Sequence, residues 1–124
     1  MDENITVGQF SDEYNKMLGT DYEKLPIVCS TGLEKHLIKR KHFDVIDCLD
    51  NLEEILAEPD YIGLGEGAAV MFVKTLENNV TTVIKLNGDE ENFYVATMYS
   101  ISDYKLERRI LSNALHPIDN SNAK

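Results

Sequence analysis

Three runs rich in β-branched and aromatic residues, at 68–76, 80–86 and 93–101, are separated only by Asn78-Asn79 and by Asn87-Gly88 with its acidic neighbours. These separators are turn chemistry, so the runs are expected to pair as an antiparallel meander. With a two-residue first turn and a four-residue second loop, Met71, Val73, Ile84, Leu86, Phe93 and Val95 share one face. Phe72, Lys74, Val83, Lys85, Tyr94, Ala96 and Met98 then share the other. The first face is the expected seat for helices. The same register puts Thr97 on that core face, opposite Lys85, so the two share a site only if the strand carries a bulge.

The chain before the meander has helical periodicity. Phe10, Tyr14, Met17 and Leu18 recur at helical spacing, and Gly19 stands where a helix would end. Residues 24–29 read as a short extended piece that Pro26 confines to a sheet edge or a loop. Thr31-Gly-Leu-Glu34 has the form of a capping box, predicting a helix to about Arg40. Val45, Cys48, Leu49, Leu52, Ile55 and Leu56 form one apolar stripe, which Asp50-Asn51 can divide and Pro59 ends. Residues 61–67 read as a loop whose glycines lack phosphate-cradling spacing. After the meander, 103–115 is predicted helical with Leu106 and Ile110 inward, and the tail from 117 is polar and expected to be loose. The class is therefore α+β, with N-terminal helices packed on an antiparallel meander of three or more strands, as one domain over 1–116.

Charge bears on partners. Lys and Arg number 12 against 22 Asp and Glu, a net −10, which argues against broad adhesion to nucleic acid or anionic membrane. The charge is uneven, however. Lys35, Lys39, Arg40 and Lys41 cluster around His36 and His42, and Lys105, Arg108 and Arg109 form a second basic island. The segment 44–60 carries Asp44, Asp47, Asp50, Glu53, Glu54, Glu58 and Asp60 and no cation. A small, focused anion site is compatible with such a molecule.

Within these islands His36 falls on the border between the buried and cationic faces of its helix, where an imidazole can exchange protons with a phosphodiester. A half-buried helix histidine bonded to backbone is the plainer reading. Lys85, centred in a strand and aligned with Lys74 and Tyr94, is a phosphate-binding candidate or an ordinary exposed strand lysine. Cys29 and Cys48 show neither metal-ligand nor CxxC spacing and read as buried free thiols. No HExxH, GxSxG or Cys/His metal pattern occurs, so neither a metal nor another cofactor is expected. No run approaches the ~20 apolar residues of a bilayer span, and a cytoplasmic location without membrane contact is expected.

The motif order Glu34-Lys-His36-Leu-Ile-Lys-Arg-Lys-His42, then Glu53-Glu-Ile-Leu-Ala-Glu-Pro-Asp-Tyr-Ile62, then Tyr94-Val-Ala-Thr-Met-Tyr99 resembles the phage-associated domains of the barnase, EndoU, colicin and RelE-like nuclease superfamily. The resemblance covers about residues 27–109. It implies helices on an antiparallel sheet and metal-independent cleavage of RNA, tRNA included, by attack of the ribose 2′-hydroxyl on the adjacent phosphorus. By position it makes His36 the general acid/base, Arg40 or Lys39 a phosphate contact, Lys85 an electrostatic stabiliser, and Thr97 or Tyr99 polar groups near the scissile phosphate, and Arg109 of the second basic island is a further phosphate-binding candidate.

Two functions stand open on this basis. One is a toxin-type ribonuclease domain with RNA as its partner. The other is a non-catalytic acidic binding protein, an immunity partner or phage-encoded inhibitor, that meets a basic protein partner through its carboxylates. Convergence of His36, Lys85 and a hydroxyl from Thr97 or Tyr99 on one open sheet face separates them.

Overall fold

The computed structural model describes residues 4–30, 32–40, 49, 51–88 and 91–118. Seven strands form one sheet: β1 (Asn4–Gln9), β2 (Pro26–Ser30), β3 (Tyr61–Leu64), β4 (Val70–Thr75), β5 (Asn79–Leu86), β6 (Phe93–Ile101) and β7 (His116–Pro117). Their order is β1-β2-β6-β5-β4-β3-β7, and every neighbouring pair is antiparallel except β2 with β6. Four α-helices accompany the sheet among the described residues: α1 (Asp12–Leu18), α2 (Leu33–Lys39), α3 (Leu52–Ala57) and α4 (Asp103–Leu111). The fold is α+β, as the sequence predicts.

The meander is present, with a changed register between β4 and β5. Leu86 pairs with Phe93 and Ile84 with Val95, and the Asn87 N–H donates to the Asn92 carbonyl at 2.8 Å, so the second loop closes as expected. The first turn does not. Thr75 pairs with Asn79 and three residues, 76–78, connect the strands. Asn79 is withdrawn from the turn because its buried amide has other partners: Nδ2 donates to the Ile101 carbonyl at 3.1 Å and to Asp103 Oδ1 at 2.8 Å. The shift turns β4 over. Val70 and Phe72, rather than Met71 and Val73, share the face of Ile84, while Met71 and Val73 lie with Val83 on the opposite face.

Three further expectations are corrected. Residues 61–64 are strand, not loop: Tyr61 to Leu64 pair with Val73 to Val70, and Gly63 lets the chain after α4 approach so closely that a Cβ there would overlap the Ala114 carbonyl oxygen. Pro26 opens an interior strand, where its missing N–H falls at the strand end and leaves Ile27 and Val28 free to pair with β6. Phe10 precedes α1 instead of lying on it, and its ring stacks on Phe93 with centroids 4.8 Å apart.

Both faces of the sheet are covered in part. On one, α1, α2 and α3 contribute Tyr14, Leu33, Leu37, Leu52, Ile55 and Leu56 to a core with Phe72, Ile84, Phe93 and Met98. Left-handed Gly19 (φ 70°) ends α1, as predicted. On the other face, α4 sets Leu106 and Ile110 against Met71, Val73, Val83 and Ile101. α4 stops at Leu111, short of the predicted 115, where Asn113 turns left-handed (φ 64°) and the Ala114 and Leu115 N–H groups return to the Arg109 carbonyl. The chain past 115 is not loose at once. His116–Pro117 form β7, and the Ile118 N–H donates to the Asp60 carbonyl at 2.8 Å. Thr31 of the capping box, Lys41, His42, Asp44, Val45, Asp47, Cys48 and Asp50 of the acidic stripe, and the tail 119–124 lie outside the described residues.

Candidate functional site

The site is decided by one residue of β6. Thr97 pairs with Val83, but Val95 pairs with Ile84, so Ala96 is an extra residue with no partner across the ladder. This is a bulge, and it inverts the alternation beyond it. Met98, expected beside Lys85, turns into the helix-covered core and is fully buried. Thr97 and Tyr99 correspondingly emerge on the face that carries Val83 and Lys85.

That face forms the floor of an open groove of about 950 Å³. The β6 and β5 residues Thr97, Tyr99 and Lys85 line it, with Met71, Val83 and Ala96 as its apolar base. α2 packs on β6 and presents His36 and Arg40 to the groove while its Leu33 and Leu37 enter the core. Arg109 and Ala114, from α4 and the turn after it, line the groove as well. Thus six of the sequence-predicted residues, His36, Arg40, Lys85, Thr97, Tyr99 and Arg109, are brought together. Lys39 is not: it is exposed on α2 and does not line the groove.

Two buried polar atoms in this groove have no hydrogen-bond partner among the described residues, the hydroxyl oxygen of Thr97 and Nη1 of Arg109. An unpaired buried donor costs roughly 1–3 kcal/mol, and more when charged, so both have hydrogen-bonding capacity to spare for a ligand. Both can donate to an anion. Lys85 and Arg40 are exposed, and His36 is half-buried on its helix. The Tyr99 hydroxyl lies 4.0 Å from the Met71 sulfur.

Glu66 is the one carboxylate lining the groove among the described residues, and sequence reasoning gave it no role. It sits at the β3–β4 tip, where Gly67 and Ala68 both adopt left-handed backbone (φ 62° and 65°). Alanine is disfavoured there by about 1 kcal/mol or more. The available signal was a single acid set among Gly63, Gly65 and Gly67.

The molecule's acidity does not bar this groove. Exposed Glu53 and Glu54 belong to α3, which packs on the opposite face of the sheet. The groove itself gathers Arg40, Lys85 and Arg109 against Glu66. Away from the groove, burial pushes the Tyr14 phenol up to about 12, aided by the Glu13 carboxylate, and burial raises the Cys29 thiol. Cys29 is half-buried against the core and forms no disulfide, a partial version of the expected buried thiol. Among the described residues no three His, Cys, Asp or Glu side chains are grouped to hold a metal ion, and no helix is long and apolar enough to cross a membrane.

A helix-flanked, largely antiparallel sheet with histidine, arginine, lysine and hydroxyl groups on an open face is the arrangement expected of a barnase/RelE-like nuclease-like domain. A family model described as phage-Barnase-EndoU-ColicinE5/D-RelE like nuclease3 matches residues 5–108, and the chain belongs to that family. The match includes β1 and α1, ahead of the region where the motif resemblance begins. No curated protein and no solved structure matches the chain.

Proposed function

We propose that this domain is a metal-independent, toxin-type ribonuclease that cleaves RNA, tRNA included, by internal transesterification. The observation that carries this reading is the convergence of His36, Arg40, Lys85, Thr97, Tyr99 and Arg109 on one groove. In the reaction the ribose 2′-oxygen forms a bond to the adjacent phosphorus, the bond from phosphorus to the 5′-oxygen breaks, and a 2′,3′-cyclic phosphate and a 5′-hydroxyl result. The 2′-hydroxyl proton needs an acceptor and the departing oxygen needs a donor. His36 and Glu66 are the groove's proton-exchanging groups for these two tasks. Arg109 and Arg40 hold the phosphate, Lys85 opposes the charge that grows on its free oxygens, and the Thr97 and Tyr99 hydroxyls orient it.

The test is incubation of the protein with total tRNA and with a defined oligoribonucleotide in the presence of a chelator, with end-group analysis of the products. Cleavage leaving cyclic phosphate ends, reduced about 10²–10⁴-fold by His36→Ala, is expected. RNA left intact at every protein dose overturns the proposal.

A further inference from the structure

Beyond the groove, four cross-strand neighbours form a row over the same face of the sheet. Thr6 of β1 pairs with Val28 of β2, Val28 with Tyr94 of β6, and Tyr94 with Lys85 of β5. Directly paired residues share a face, so the four side chains stand side by side across about 14 Å, three strand spacings of about 4.8 Å. None of the four belongs to either hydrophobic cluster. Tyr94 keeps 38% of its surface exposed, and Thr6 and Lys85 are exposed too. An aromatic ring is thus left on an open sheet surface, directly beside the lysine that already lines the groove.

That continuity fits one occupant. A strand of nucleic acid whose phosphate lies in the groove and that leaves it past Lys85 meets the Tyr94 ring next. Base–aromatic stacking beside a phosphate-pairing cation is how open sheets and grooves hold single strands. A base in a duplex already has both faces stacked and cannot use such a platform. We propose that Tyr94, flanked by Val28, is a further nucleotide subsite that stacks an unpaired base one nucleotide beyond the two that flank the phosphodiester in the groove, and so restricts the substrate to single-stranded RNA. This inference rests on the ribonuclease reading of the groove for its orientation, but it has its own binding readout.

The experiment compares the wild-type chain with Tyr94→Ala and Tyr94→Phe on three ligands: a ribodinucleotide, a single-stranded hexamer with the same scissile step, and a 2′-O-methyl hexamer that cannot be cleaved. Tyr94→Ala is expected to lower kcat/KM on the hexamer, and affinity for the 2′-O-methyl hexamer, by about tenfold. Dinucleotide cleavage should be unchanged, Tyr94→Phe should retain wild-type behaviour, and annealing the hexamer to its complement should abolish the advantage over the dinucleotide. Equal losses on dinucleotide and hexamer, or no loss on either, overturn the subsite even if the enzyme is active. A wild-type chain that cleaves nothing but binds the 2′-O-methyl hexamer through Tyr94 keeps the subsite and rejects the ribonuclease reading. Unchanged RNA affinity in Tyr94→Ala overturns the proposal.

Discussion

Thr97 stands on the same face of the sheet as Lys85, although strict alternation from the Leu86–Phe93 pair would set them on opposite faces. Ala96 makes the difference by occupying a rung without a partner. The bulge has a double effect, since the residue that leaves the groove face, Met98, becomes a fully buried part of the core. Function and packing are therefore linked at this point of β6.

The unpaired donors give the first prediction a distinctive sign. Thr97→Val and Arg109→Met remove buried polar groups that have no partner among the described residues, so neither should lower stability by more than about 1 kcal/mol, and either can raise it. Both should reduce RNA cleavage, Arg109→Met by about 10²-fold or more. Urea unfolding beside a cleavage assay checks this, and a large stability loss with activity retained would contradict it.

Gly63 sets how close β3 lies to the turn after α4. Gly63→Ala would drive a methyl group into the Ala114 carbonyl, a backbone atom that cannot swing aside, and also crowd Leu115. A loss of about 3 kcal/mol or more is expected by thermal or denaturant unfolding, because overpacking against a rigid neighbour is at the costly end of such changes. Since Ala114 lines the groove, any folded fraction should also cleave poorly.

Asn79 joins the meander to α4 through Ile101 and Asp103, and accepts a hydrogen bond from the Thr75 hydroxyl at 3.0 Å. Asn79→Ala takes the amide donor from the buried Ile101 carbonyl, and a loss of about 1–3 kcal/mol is expected. Hydrogen exchange should show α4 opening more readily than α1, which Asn79 does not touch.

Tyr14 supplies a pH test of the core. Its hydroxyl donates to the Leu56 carbonyl at 2.8 Å, and its folded-state pKa is pushed up to about 12 against about 10 for an unfolded chain. The protonated phenol is favoured in the folded state, so its contribution is complete below pH 10 and is lost as pH rises toward 12. Unfolding free energy should fall across that window in the wild type and less steeply in Tyr14→Phe. The variant should already be about 1 kcal/mol less stable at neutral pH, because the Leu56 carbonyl loses its donor.

The amphipathic stripes of α2 and α3, the end of α1 at Gly19 and the pairing of β5 with β6 through Leu86 and Phe93 were legible in the chain, because each depends on local periodicity or on a turn. The groove residues were legible as types in motif order, His36 and Arg40 on a helix and Lys85 on a strand. Their assembly was not. Whether Asn79 served the turn or the core depended on Ile101 and Asp103, more than twenty residues away. Residues 61–64 lie as a strand between β4 and β7 with Gly63 close against Ala114, and Glu66 lines the groove from the tip beyond that strand, contacts made by segments distant in the chain. Sequence by itself determined that helices stand around 12–18, 33–39, 52–57 and 103–111, that 70–75, 79–86 and 93–101 are extended, and which residues can carry charge and protons. Tertiary structure alone decided which face each strand shows, because a bulge or a one-residue change of register inverts every side chain beyond it at little local cost, and the choice is made by what packs on either side.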